Sequence, residues 1–117
     1  MAWTVLFSIE AAAWLDTLSD SEWNAIMGAI DLLEQRGPSL GRPAVDSIEG
    51  SRHSNMKELR SFGGHLRALF AFDPKRQALV ILGGDKEGDW TGWYARNIPI
   101  ADNLYDDYLA HQRETDR

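Results

Sequence analysis

The chain contains no cysteine, which excludes disulfides and thiolate metal sites and suits a reducing compartment. Its three histidines, His53, His65 and His111, have no ligand partners at close spacing, so no metal and no cofactor is expected. No apolar run approaches the ~20 residues needed to cross a bilayer, so no membrane association is expected. The opening MAWTVLFSIEAAAWL has no basic residue ahead of its apolar stretch and meets Glu10 early. A signal peptide is therefore not expected, and the expected location is the cytoplasm. Also absent is a phosphate-binding glycine loop closed by Lys-Ser/Thr, since GGDKEG has the wrong spacing. None of the serines sits in a nucleophile elbow.

The 117 residues suit one domain, 1–117. The net charge is −6 and unevenly distributed. Residues 1–50 hold 2 Lys/Arg against 8 Asp/Glu, residues 51–96 hold 8 against 5, and residues 97–117 hold 2 against 5. The acidic total argues against indiscriminate nucleic-acid binding, but the basic middle can hold one stretch of phosphate.

TVLFSI (4–9) reads as an opening strand. EAAAWLDTL (10–18) has helix-forming composition with Ser8 as its cap. A second helix follows: Ser19 and Glu22 form a capping box, and Trp23, Ile26, Met27, Ile30 and Leu33 fall on one predicted core face. Gly37-Pro38 stops it. Residues 38–55 are irregular, with a brief extended piece at AVDSI. Three strands then follow, MKELR, HLRALFAFD and QALVILGG, separated by the turn-like SFGG and DPKR. Asp85 to Gly92 reads as a mobile loop. NIPIADNLYDDYLAHQRETDR reads as a C-terminal helix with Pro99 in its first turn and Ile100, Leu104, Tyr105 and Tyr108 on its apolar side. The predicted class is α+β: a small antiparallel sheet with two N-terminal helices on one face, and a C-terminal helix.

The chemistry concentrates between residues 52 and 96, where Arg52, His53, Lys57, Arg60, His65, Arg67, Lys86, Tyr94 and Arg96 fall on or near neighbouring strands. Cations hold phosphates, and Trp or Tyr stacks on unpaired bases. A cation can neutralise charge developing at a scissile phosphate, and a Tyr or Lys can move a proton. The set therefore suits RNA, whose own 2′-hydroxyl is a ready nucleophile. Each residue also has a plainer role. Trp90, Trp93 and Tyr94 can pack under the C-terminal helix, and Arg60 can pair with a carboxylate. Arg67, inside a strand beside Leu69 and Ala71, needs an anion, either Glu58 or a substrate phosphate. Lys57 and Arg60 are three apart, which in a regular strand points them to opposite faces.

GRPAVDSIEGSRHSNMKELR, LRALFAFDPKRQALVILGGDK and WYARNIPIADNLYDDYL together resemble the HigB-like branch of the RelE/ParE toxin superfamily. The resemblance covers nearly the whole chain and implies a RelE-like fold. It implies the toxin of a bacterial type II toxin–antitoxin pair, an endoribonuclease that cuts mRNA on the ribosome without metal. It further implies neutralisation by a helix-turn-helix, HigA-like antitoxin, through which alone the toxin reaches operator DNA. By the same resemblance Arg67, Tyr94 and Lys86 are the catalytic residues, and Lys57, Arg60, Arg96, His65 and Trp93 contact RNA. Two departures stand out: the acidic total, and Glu58 where the family carries a lysine. They motivate an alternative, a non-nucleolytic toxin of a protein target such as DNA gyrase, or an inactive antitoxin-binding corepressor.

Overall fold

The computed structural model describes residues 2–115. The chain runs β1 (Val5–Phe7), α1 (Ile9–Asp16), α2 (Asp20–Arg36), a 3-10 turn (Gly37–Ser39), β2 (Val45–Ser47), β3 (Lys57–Arg60), β4 (Leu66–Phe72), β5 (Ala78–Asp85) and α3 (Trp90–Thr115). Among the described residues no helix is long and apolar enough to cross a membrane.

The helix starts follow from their caps. Ser8 Oγ accepts from Ala11 N–H at 2.9 Å and donates to the Ile81 carbonyl at 2.5 Å, starting α1 while tying it to β5. In α2, Glu22 N–H donates to Ser19 Oγ at 3.2 Å and Ser19 N–H to Glu22 Oε1 at 2.9 Å, a complete capping box.

The five strands form one sheet in the order β1-β5-β4-β3-β2. The β2 to β5 meander is antiparallel throughout, and the AVDSI piece supplies β2. The sheet departs from the antiparallel expectation at one edge, where β1 lies parallel to β5. The two are not joined by a tight turn, so nothing local imposes antiparallel pairing.

One sheet face, carrying Leu59, Ala68, Phe70 and Val80, packs against Ala11, Leu15, Ile26, Ala29, Ile30 and Leu33 of α1 and α2. The other, carrying Leu69, Ala71, Leu79 and Ile81, packs against Trp93, Ile98, Ala101 and Tyr105 of α3. Burial on both faces explains why ALVIL has no alternation.

Three sequence expectations need correction. Trp23 lies at the rim of the α2 stripe and is 40% exposed. The C-terminal helix starts at Trp90, so Pro99 lies inside it and not in its first turn. Pro99 removes the N–H that would bond the Ala95 carbonyl; both residues are exposed, so water can take that place. Ile100 points outward, 47% exposed, while Tyr105 is buried.

The register of β4 against β5 slips by one at Leu69/Phe70: Phe70 faces Val80, but Leu69 faces Leu82. This bulge reverses which residues of β5 face which helix beyond that point. Gly84 thereby stands opposite Arg67 on the α3 side, and Gly83 opposite Ala68 on the α1 side. The Trp14 ring packs on Gly83 and the Trp93 ring on Gly84. A Cβ at Gly84 would stand 2.5 Å from Trp93 Nε1. Only glycine lets the first turn of α3 settle that close to the strand.

Candidate active site

Glu58 and Arg60 of β3, Arg67 of β4, Lys86 just past β5 and Tyr94 of α3 converge on the α3 side of the sheet. Strand periodicity aligns the first three. Arg67 pairs directly across from Arg60, and Glu58 from Leu69, so all three side chains leave the same face. Trp93, seated on Gly84 and edge-on to Tyr94 at 5.2 Å between ring centroids, sets the depth at which Tyr94 enters.

Glu58 is 2% exposed and fully engaged. Its Oε1 accepts from Arg60 Nε at 2.9 Å and Nη2 at 2.8 Å, and its Oε2 accepts from the Tyr94 hydroxyl. Arg60 Nη2 also donates to Asp46 Oδ2 of β2 at 3.1 Å. Arg60 is therefore spent on two carboxylates, which strengthens its hold on its proton.

Arg67 differs. It is 7% exposed. Its Nη1 donates to the carbonyls of Leu66 at 2.8 Å and Gly64 at 3.2 Å, while Nε is buried with no partner. No carboxylate pairs with it among the described residues. Lys86 is 3% exposed, its Nζ lying 3.2 Å from the centroid of the Trp90 ring and 5.8 Å from that of Tyr94. Burial weakens its hold on its proton, and the Arg67 charge adds to this. Trp90 is 61% exposed, covering the ammonium with one face and leaving the rest of its surface to solvent. Burial, then hydrogen bonding and proximity to Glu58, push the Tyr94 hydroxyl up to about 12 against an opposing pull from Arg67.

The other predicted residues do not join this group. Lys57 pairs across from Phe70, whose ring lies in the α1/α2 core, so β3 points Lys57 away from Arg67; the strand is regular and no bulge turns it round. Trp93 is 5% exposed and serves the core, which leaves no ring face for a base. Arg96 lies two residues beyond Tyr94, on another face of α3, and pairs with Asp89 at 2.7 Å. His65 sits at the rim, 3.7 Å from Glu87. Arg52 and His53 belong to a separate cluster on α3, both bonded to Asp106.

Glu58 and Asp46 are the partners that no motif reveals. Once β3 is a strand, the i, i+2 spacing of Glu58 and Arg60 signals their shared face. The contact to Tyr94 spans 36 residues and has no local signal.

Residues 13–106 match the model of the family described as phage derived protein Gp49-like. A protein of Mycobacterium tuberculosis H37Rv bearing the toxin name HigB3 is 49% identical over 108 residues, covering 92% of this chain and 95% of that one. HigB2 of the same organism is 47% identical over 107 residues, 89% of this chain; the chain spans about half, 53%, of that relative. Two solved structures share the fold at low identity. The isolated Escherichia coli RelE toxin has a TM-score of 0.62 at 12% identity, with 82% and 97% of the two chains covered. The toxin–antitoxin complex RelBE2 of M. tuberculosis has a TM-score of 0.55 at 16% identity, with 73% and 99% covered. The fold is thus that of the RelE-type toxins. The chain belongs to the Gp49-like family and is HigB-like.

Proposed function

We propose that this chain is the toxin of a type II toxin–antitoxin pair and cleaves mRNA on the ribosome without metal, neutralised by a helix-turn-helix antitoxin. One observation carries this reading: Arg67 and Lys86 are both nearly buried, neither forms an ion pair with a carboxylate among the described residues, and both lie near Tyr94. Buried cations without counter-ions are costly unless an anion arrives. An RNA phosphodiester supplies one, and its adjacent 2′-hydroxyl supplies the nucleophile. Arg67 holds the non-bridging oxygens, Lys86 the leaving side, and Tyr94 the proton of the attacking hydroxyl. Trp90 offers its open surface to a flanking base.

Induced expression with mapping of mRNA ends tests the reading. Wild-type chain produces cuts that require translation, and Arg67→Ala and Tyr94→Phe abolish them while staying folded. The net charge of −6 favours a second reading. Growth arrest with intact mRNA and broken DNA points to gyrase, and no arrest points to an antitoxin-binding corepressor.

A further inference from the structure

Glu58 is used in a way that packing does not require. Desolvating a carboxylate is costly, and an apolar residue in this strand position avoids that cost. The fold instead buries the charge and surrounds it with donors. Two N–H groups of Arg60 hold Oε1, which leaves Oε2 for the Tyr94 hydroxyl. Tyr94 gives its only proton to Glu58 and accepts from Arg67, which leaves one lone pair of its oxygen to accept a proton from elsewhere. A groove of about 270 Å³ opens onto this pair, lined by Ser47, Ile48, Glu49 and Ile98 beside Glu58 and Tyr94. The arrangement is a base held by an orienting partner and reached through a hydroxyl.

We propose that Glu58 is the terminal proton acceptor of the RNA cleavage described above, reached through Tyr94; this rests on the nuclease reading. The substrate's 2′-hydroxyl donates to Tyr94 Oη. As O2′ attacks phosphorus, its proton passes to the Tyr94 oxygen and the tyrosine's own proton passes to Glu58 Oε2. The O2′–P bond forms and the P–O5′ bond breaks. The leaving O5′ takes a proton from the Lys86 ammonium. The products are a 2′,3′-cyclic phosphate and a 5′-hydroxyl end, with no change of oxidation state. Exchange with water then returns a proton to Lys86 and removes one from Glu58. Tyr94 is never a free tyrosinate, a form its environment opposes at neutral pH. Arg60 positions Glu58 through its two hydrogen bonds to Oε1.

The test is single-turnover cleavage of ribosome-bound mRNA by the purified full chain over a range of pH, with Glu58→Gln, Glu58→Asp and Tyr94→Phe. Glutamine keeps the shape and accepts a hydrogen bond but takes no proton. Glu58→Gln is expected to slow cleavage by roughly 10²–10⁴-fold, the usual span of general base catalysis. Its residual rate rises in proportion to hydroxide where the wild-type rate has levelled. Glu58→Asp, one methylene short, recovers part of the rate and restores the plateau. A merely structural role for Glu58 does not change the pH profile. If Glu58→Gln, or Glu58→Asp should the former not fold, cleaves with the wild-type rate and profile while Tyr94→Phe is inert, the inference is overturned and the nuclease reading stands. If wild-type chain leaves mRNA uncut at every pH, the nuclease reading fails and takes the inference with it.

Discussion

Arg60 and Arg67 stand directly opposite each other across the β3–β4 ladder, on the face covered by α3. Like charges in that position repel. The fold separates their roles by giving them different partners. Arg60 turns to Glu58 and Asp46, whereas Arg67 turns to the carbonyls of Gly64 and Leu66 and has no carboxylate partner among the described residues. A site that looks uniformly basic in sequence is therefore divided into a satisfied half and an unsatisfied half.

That division predicts a shallow salt dependence of RNA binding. Each phosphate neutralised on a single strand contributes about −0.7 to the slope of log K against log salt. With Arg67 and Lys86 as the two site cations without a carboxylate partner among the described residues, the expected slope for a short single-stranded RNA is about −1 to −1.5. A slope steeper than about −3, measured by fluorescence anisotropy, refutes a compact two-cation site.

Tyr94 titrates late because of burial and Glu58. In ultraviolet difference titration against Tyr94→Phe, the Tyr94 midpoint is expected near 12 in the wild type. Glu58→Gln moves it down towards the ordinary tyrosine value of 10, and the burial component persists. The sign for stability follows. The folded value lies above the unfolded one, so the stabilisation is complete below pH 10 and is lost as pH rises from 10 to about 12. An unchanged midpoint in Glu58→Gln contradicts the hydrogen bond.

Gly84→Ala tests the seat of α3. A methyl there meets Trp93 Nε1 at 2.5 Å, and the ring or the helix must move. The expected loss is about 1–3 kcal/mol, the usual penalty of overpacking, read by urea denaturation. Cleavage should fall further than stability explains, because Tyr94 moves with Trp93. Gly41→Ala, which meets nothing within 4 Å, serves as the control and should change neither.

Trp90 shields Lys86 from water. In Trp90→Ala the Lys86 ammonium regains hydration, and its midpoint, followed by NMR of the amino group, should rise towards the ordinary lysine value. Arg67→Ala should move it in the same direction by removing a like charge, and Glu58→Gln in the opposite direction by removing an attractive one. A Lys86 midpoint indifferent to Trp90 shows that the indole does not cover it in solution.

Elements with a local physical cause are legible in the sequence. The Ser19–Glu22 box starts α2 because both partners lie within one helical turn, and the apolar HLRALFAF and QALVIL runs are strands because both their faces are buried. Parity along β3 already places Lys57 and Arg60 on opposite sides. The start of α3 is not legible, since Asp85 to Gly92 reads as a loop until Trp90 and Trp93 have lysine and strand surfaces to pack on. The same holds for the role of Trp93, which the sequence leaves between base stacking and core packing until Gly84 appears beneath it.

Composition, periodicity and capping thus determine that this chain builds a two-faced sheet with helices, and that a cluster of cations and aromatics falls on its later strands. Which of them meet is decided by tertiary structure. The bulge between Val80 and Leu82 shifts β5 by one residue, and with period-two alternation one residue exchanges the faces. It puts Gly84, and Lys86 two residues on, on the side of Arg67 and Tyr94. A regular ladder would have sent them towards α1 and α2. No local sequence rule specifies that slip, because it depends on how two strands and three helices fill the space between them.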